Sequence, residues 1–217
     1  MNATSRMTSW LLLGLLTLVA AGAAILGIVQ SPNNASLQQA VRNTLAAPNY
    51  TEVLSTTTPN GSQTLHLVFQ APDRLGGYAV NGNRRTYIYI IGRYQYQSLT
   101  VPATATVKHL VFYRQPGRPA SLADPARGFL RFAARGQNVK GSAGSYTFTV
   151  TQNGVTGAFT ATVSGPYVSA MTLVAPNESD QLAISQVGTS PPVALPSGSR
   201  VIGAPTGGGT SGGGTGG

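Results

Sequence analysis

Between Thr86 and Ile91 the chain reads Thr-Tyr-Ile-Tyr-Ile-Ile, apolar or aromatic at nearly every position. Such a run of β-branched and aromatic residues predicts a strand. A strand wet on one face alternates apolar with polar residues, and this one does not. Both of its faces must therefore be covered, by protein or by a ligand. The runs Gly77–Val80 and Tyr94–Leu99 flank it, separated from it by Asn81-Gly82-Asn83 and by Gly92-Arg93. Asn and Gly tolerate positive φ, so both separators read as hairpin turns. The stretch from Ala71 to Leu99 is thus a meander that the rest of the chain must cover on two sides.

The residues before it supply a helix and a hairpin. Ser36 with Gln39 has the spacing of a capping box, and Leu37, Ala40, Val41 and Leu45 share one helical face. Pro48 ends that helix, so it spans 36–47. Tyr50–Thr58 and Ser62–Ala71 form the first hairpin about an Asn60-Gly61 turn. Leu54 then lies near Leu67, and Leu65, Leu67 and Phe69 share a face. After the meander, Val107–Tyr113 reads as a strand. Asp124 and Pro125 open a second helix as N-cap and first residue, and Gly136 closes it, giving 125–135. Phe129, Leu130 and Ala133 form its buried side. Arg127, Arg131 and Arg135 recur every four residues along the other.

From Ser142 the pattern is regular. Gly144–Gln152, Val155–Val163, Tyr167–Ala175 and Gln181–Val187 read as a second meander, with Glu178 in its last turn. Phe148, Val150, Phe159, Ala161, Val168 and Ala170 fall on one face, and hydroxyl side chains fall on the other. Pro191–Pro196 is extended and is expected as the last edge strand, because proline cannot donate to a ladder.

Composition narrows the function. Charged residues make up only 9% of the chain, the net charge is +9, and 12 of the 14 basic residues are arginine. Sparse but strongly positive charge suits an anionic membrane surface. No basic cluster interleaves with aromatics as a nucleic-acid site requires, so no nucleic-acid partner is expected. Cysteine is absent, and His66 and His109 have no second ligand at metal spacing, so no metal site is expected. The acids are Glu52, Asp73, Asp124, Glu178 and Asp180. No nucleophile elbow, zinc-protease motif or phosphate-binding loop occurs, so neither enzyme chemistry nor a cofactor is expected.

Trp10 to Val29 is a run of 20 residues without a charge, long enough to span the ~30 Å hydrocarbon core as a helix. Arg6 precedes it and the next basic residue is Arg42, which orients the N-terminus toward the cytoplasm. Two readings stand: an uncleaved signal anchor, or a signal peptide cut after Ala23. The expected organisation is a cytoplasmic N-terminus (1–9), the apolar segment (10–29), a linker (30–35), an extracytoplasmic domain (36–203) and a Gly/Thr/Ser-rich tail (204–217).

The order of elements carries a resemblance. Pro72-Asp73-Arg74, a hairpin, an apolar strand ending Ile91-Gly92 and an aromatic strand with Tyr94 and Tyr96 resemble the LolA/LolB-like lipoprotein-carrier fold. The later Tyr-Val-Ser strand, Leu-Ala-Ile-Ser strand and Pro-Pro-Val segment are similar to its actinobacterial LprG/LppX-type lipid-binding branch. The resemblance covers about Leu37 to Pro196. The lipobox Cys of those lipoproteins is missing, which excludes a thioether-linked lipid anchor.

The resemblance implies an α+β fold: a curved antiparallel sheet, an open half-barrel, with two helices on its concave side. It implies an envelope protein that binds or transfers a lipid or an acylated lipoprotein. Taken with face alternation, the cavity residues would be Leu67, Phe69, Tyr87, Ile88, Tyr89, Ile90, Phe129, Phe148, Phe159 and Val168. Arg127, Arg131 and Arg135 would meet the cytoplasmic membrane surface. The alternative is a sensor or scaffold of the same fold, in which the same residues fill a core.

Overall fold

The computed structural model describes residues 32–105, 109–152 and 154–203. The apolar segment 10–29 and the tail 204–217 lie outside the described residues, so their expected roles concern parts of the chain without a described structure. Among the described residues, no helix is long and apolar enough to cross a membrane.

The first helix, α1 (Pro32–Ala46), leads into the hairpin β1 (Asn49–Thr58) and β2 (Gly61–Gln70). Then come β3 (Arg74–Asn81), β4 (Arg84–Ile91), β5 (Tyr94–Ser98), β6 (Val101–Pro102) and β7 (Val111–Pro116). A short turn of helix, α2 (Ala120–Ala123), precedes α3 (Pro125–Ala134). The second half is β8 (Gln137–Ser142), β9 (Ser145–Gln152), β10 (Val155–Ser164), β11 (Tyr167–Ala175) and β12 (Glu178–Ser185), with β13 (Arg200–Gly203) last.

All of these strands belong to one curved, open sheet in the order β13-β7-β5-β4-β3-β2-β1-β12-β11-β10-β9-β8, with β6 paired to β4. Every pairing is antiparallel except that of β13 with β7. The two meanders meet where β1 pairs with β12, placing Leu54 opposite Leu182 and Thr56 opposite Asp180. The helices cover one face of this sheet. Leu37, Val41, Phe129 and Leu130 of α1 and α3 join Phe69, Phe148, Phe159, Val168 and Met171 of the sheet in one buried cluster. That is the architecture expected from the order of elements, and the covered side is called the inner face below.

Several expectations are corrected. α1 begins at Pro32, the first helical position that proline favours, so Ser36 and Gln39 lie inside the helix rather than at its cap. Gln39 instead bonds Asn43 and Arg42 on the exposed side. The first hairpin turns at Pro59-Asn60, with Thr58 opposite Gly61, which puts Leu54 opposite Leu65 and Glu52 opposite Leu67. β11 carries a β-bulge at Ser169, where Thr162 of β10 pairs with Ala170 and the next residue Val163 pairs with Val168, so Met171 rather than Ala170 turns inward after Val168. Glu178 and Asp180 lie in β12 rather than in a turn, and Asp180 accepts a hydrogen bond from Thr56 Oγ1 at 2.6 Å. The strand expected over Val107–Tyr113 begins at Val111, with residues 106–108 outside the description. β8 carries no sequence signal: its residues are mostly polar and exposed, and it is held by pairing with β9.

Pro191–Pro196 is not a strand. It crosses the outer face of the sheet as a strap, and the edge is formed by β13. Val193 is its anchor: its N–H donates to Gln70 Oε1 at 3.0 Å and its carbonyl accepts from Arg74 Nη1 at 3.0 Å. The strap rests where β3 has no side chain. A Cβ on Gly76 would lie 2.4 Å from the Tyr89 ring and 2.8 Å from Val193 Cγ1. Beside this contact, Tyr87, Leu110 and Phe112 form a second, smaller core, packed with Tyr78, Tyr89, Tyr96 and Leu195. The apolar run Thr86–Ile91 is therefore covered by protein on both faces.

Candidate functional site

The ten residues expected to line a lipid cavity divide between the two faces. Leu67, Phe69, Ile90, Phe129, Phe148, Phe159 and Val168 lie in the inner-face cluster, each at most 8% exposed. Ile88, opposite Gly77 and Gln97, shares that face by alternation with Ile90 and is half-buried. Tyr87 and Tyr89 point the other way, into the outer core under the strap. Sequence alternation placed them two residues apart on one side of β4, but the second layer that receives them is built by distant segments.

The inner face is packed. Phe159 stacks on Phe148 at 5.2 Å and meets Phe129 edge-on at 6.3 Å. Tyr50 stacks on Phe69 at 5.2 Å. Gly136, just after α3, lets the chain pass over Phe148, where a Cβ would sit 2.8 Å from the ring. Two recesses, of about 300 and 490 Å³, open on the outer face instead. The smaller lies over the hydroxyl side of β8–β11 and the larger beside the strap.

A buried polar cluster, little signalled in the sequence, clamps α3 to β1. Asp124 caps α3 by accepting from the Arg127 N–H at 3.2 Å, as its position before Pro125 predicted. Its other carboxylate oxygen accepts from the Tyr50 hydroxyl. Glu52, only 1% exposed, accepts from the Ala126 N–H at 2.8 Å through Oε2, while Oε1 has no hydrogen-bond partner. Burial first, and the neighbouring Asp124 second, push the Glu52 carboxyl well above the usual carboxylate range. Burial raises Asp124 too, against the hydrogen bond from Tyr50. Both buried carboxyls are thus biased toward their protonated forms, Glu52 the more strongly. The polar alternation of Tyr50, Glu52, Leu54 and Thr56 on one strand face was the available signal.

Arg127 belongs to this cluster and not to an outward stripe. Its side chain is 16% exposed, its Nε lies 3.6 Å from Asp124, its Nη2 donates to the Leu45 carbonyl at 2.9 Å, and its guanidinium lies 4.3 Å from the Phe69 ring centre. Arg131 is half-buried, with Nη2 3.4 Å from the Ser121 carbonyl, and Arg135 is exposed. The three arginines therefore do not form one free basic face. The four-residue period rotates slowly around a helix, and a carboxylate at the cap drew the first arginine inward. At the other end of α3, Gln38 of α1 donates to the Ala133 carbonyl at 3.1 Å. Among the described residues, no group of three or more His, Asp or Glu side chains gathers at a metal-binding distance.

A single curved antiparallel sheet with helices packed on its inner face and an apolar cluster between them defines a half-barrel of the LolA-like, LprG/LppX type. Solved structures share it. LprF from Mycobacterium bovis superposes with a TM-score of 0.51 at 15% identity, covering 77% of this chain and 98% of LprF. The Mycobacterium tuberculosis lipoprotein LppX gives 0.50 at 13% identity, covering 76% of this chain and 98% of LppX. No family model and no curated protein matches the sequence.

Proposed function

We propose that this chain is a non-catalytic lipid- or lipoprotein-binding protein of the cell envelope, held at the cytoplasmic membrane by its 10–29 segment with the half-barrel outside. The observation that carries the reading is the fold, a sheet curved around a continuous apolar inner face over nearly the whole length of LprF and LppX. An acyl chain is its ligand. Apolar surface removed from water stabilises by about 25 cal/mol per Å², and the inner face is the largest such surface here. Because that face is filled by α1 and α3, the ligand enters by parting the helices from the sheet. Residues 32–35 of the expected linker are helical, so the domain sits even closer to its membrane than a six-residue linker would allow. It exchanges amphiphiles with the adjacent leaflet.

The packed inner face favours a second reading, in which the half-barrel is a sensor or scaffold and Phe69, Phe129, Phe148 and Phe159 are simply its core. Native mass spectrometry of the purified protein, with extraction of co-purifying lipid and titration of a fluorescent fatty-acyl probe, separates the two. Bound lipid or saturable probe uptake supports the carrier. Absence of both assigns the core reading.

A further inference from the structure

The larger recess, of about 490 Å³, lies on the outer face between the strap and the strands β2–β4, away from the inner-face cluster. Its size is that of a small-ligand pocket. One wall is a cross-strand row: His66 opposite Tyr78, and Tyr78 opposite Tyr87. His66 stacks on Tyr78 at 4.7 Å, and the Tyr78 and Tyr87 rings are 5.7 Å apart. Ala194 of the strap stands on the opposite wall, and Tyr89 over Gly76 closes the floor.

One cation faces this recess. The Arg85 guanidinium lies 4.5 Å from the Tyr78 ring centre and donates from Nη1 to the Tyr87 hydroxyl at 3.1 Å. Its Nε is buried without a hydrogen-bond partner, and it has no ion pair among the described residues. Burial and then the Arg85 charge lower the His66 pKa, so the imidazole is neutral and leaves Arg85 the sole positive group lining the recess. A guanidinium fork held in place by two tyrosines, with donors unspent, is complementary to a carboxylate or phosphate. The tyrosine faces beside it are complementary to an apolar or planar body. No acid lines the recess to oppose such a ligand.

We propose that this outer recess is a binding site for a small anionic amphiphile, a carboxylate or phosphate on Arg85 with its apolar body against Tyr78, Tyr87 and the strap. The site is independent of the inner face and does not require the helices to move.

The test uses the full chain in phosphatidylcholine nanodiscs and titrates 2-naphthoate by calorimetry, with 2-naphthylmethanol as the uncharged probe. The acid should bind at least tenfold more tightly than the alcohol. Arg85→Gln should lose at least tenfold for the acid and nothing for the alcohol, and Arg85→Lys should fall between. Ala194→Trp, which narrows the recess from an exposed position and leaves Arg85 in place, should also abolish binding. Phosphatidate added to the discs identifies the source of the anion: competition with naphthoate assigns a lipid headgroup, and undiminished naphthoate binding assigns a free small molecule. Equal binding of acid and alcohol, or unchanged naphthoate affinity in a folded Arg85→Gln protein and in Ala194→Trp, would overturn the proposal.

Discussion

The hydroxyl of Tyr50 in β1 donates to the carboxylate of Asp124, the residue that caps α3, across 74 positions of sequence. Burial, and then the two carboxylates Asp124 and Glu52, push the phenol pKa far upward, so the donor is retained. Tyr50→Phe keeps the ring that stacks on Phe69 and removes only the donor. A hydrogen bond to a charged group contributes about 1.5–3 kcal/mol. Urea unfolding followed by circular dichroism should show a loss of that size with an unchanged m-value. A loss below about 0.5 kcal/mol would mean that Asp124 finds another donor.

Glu52 makes the fold sensitive to alkaline rather than acidic conditions. Its folded pKa is raised, as is that of Asp124. The unfolded carboxyls release their protons near pH 4, while the folded ones hold them longer, so the native state binds more protons above that pH. Stability is therefore fully present below about pH 4 and declines as pH rises toward and through the folded values. Asp180 and Glu178, also raised by burial, add to the same slope. Glu52→Gln resembles the protonated acid in shape. It should be more stable than wild type above the pH at which the unfolded carboxyl ionises and should show a shallower decline as pH rises from about 4 toward 8. Thermal melts across that range provide the check.

Arg127 and its two neighbours on α3 should separate by assay. Arg127→Gln leaves Asp124 without its ion pair and the Leu45 carbonyl without its donor, and should cost about 1–3 kcal/mol of stability. Arg131→Gln and Arg135→Gln should each change stability by less than about 0.5 kcal/mol. If α3 touches an anionic leaflet, the Arg131→Gln/Arg135→Gln double mutant weakens vesicle binding in low salt, at ~1 kcal/mol per residue. Arg127→Gln should leave vesicle binding unchanged.

Gly76 is where the strap meets the sheet. Gly76→Val would force the Tyr89 ring and Val193 aside, and overpacking of this kind costs about 1–3 kcal/mol. The inner-face core does not touch this side. Limited proteolysis should therefore cut the 191–199 segment first in the mutant, while amide exchange in β9–β11 stays as slow as in wild type.

The local elements were legible where the physics is local. Asp124-Pro125 marked the start of α3, Gly82-Asn83 and Gly92-Arg93 turned the first meander, and alternation placed Leu67, Phe69, Phe148 and Phe159 on the covered face. The order of these elements was enough to anticipate the half-barrel. The first turn slipped by one residue because Pro59 fits a turn corner as readily as Gly61 does. Ala170 was misplaced because a bulge shifts the alternation without changing composition.

By itself, then, the sequence specified which residues are apolar, how often they recur and where the chain turns. Those follow from side-chain chemistry and from contacts a few residues apart. Only the tertiary structure decided what covers each face. Tyr87 and Tyr89 lie under a strap that begins about a hundred residues later, and Pro191–Pro196 became that strap because Gly76 left room for Val193. Arg127 turned inward because Asp124, Leu45 and Phe69 meet around it from three elements. A buried charge is tolerated only where partners converge, and that convergence is a property of the assembled chain, invisible in any window of its sequence.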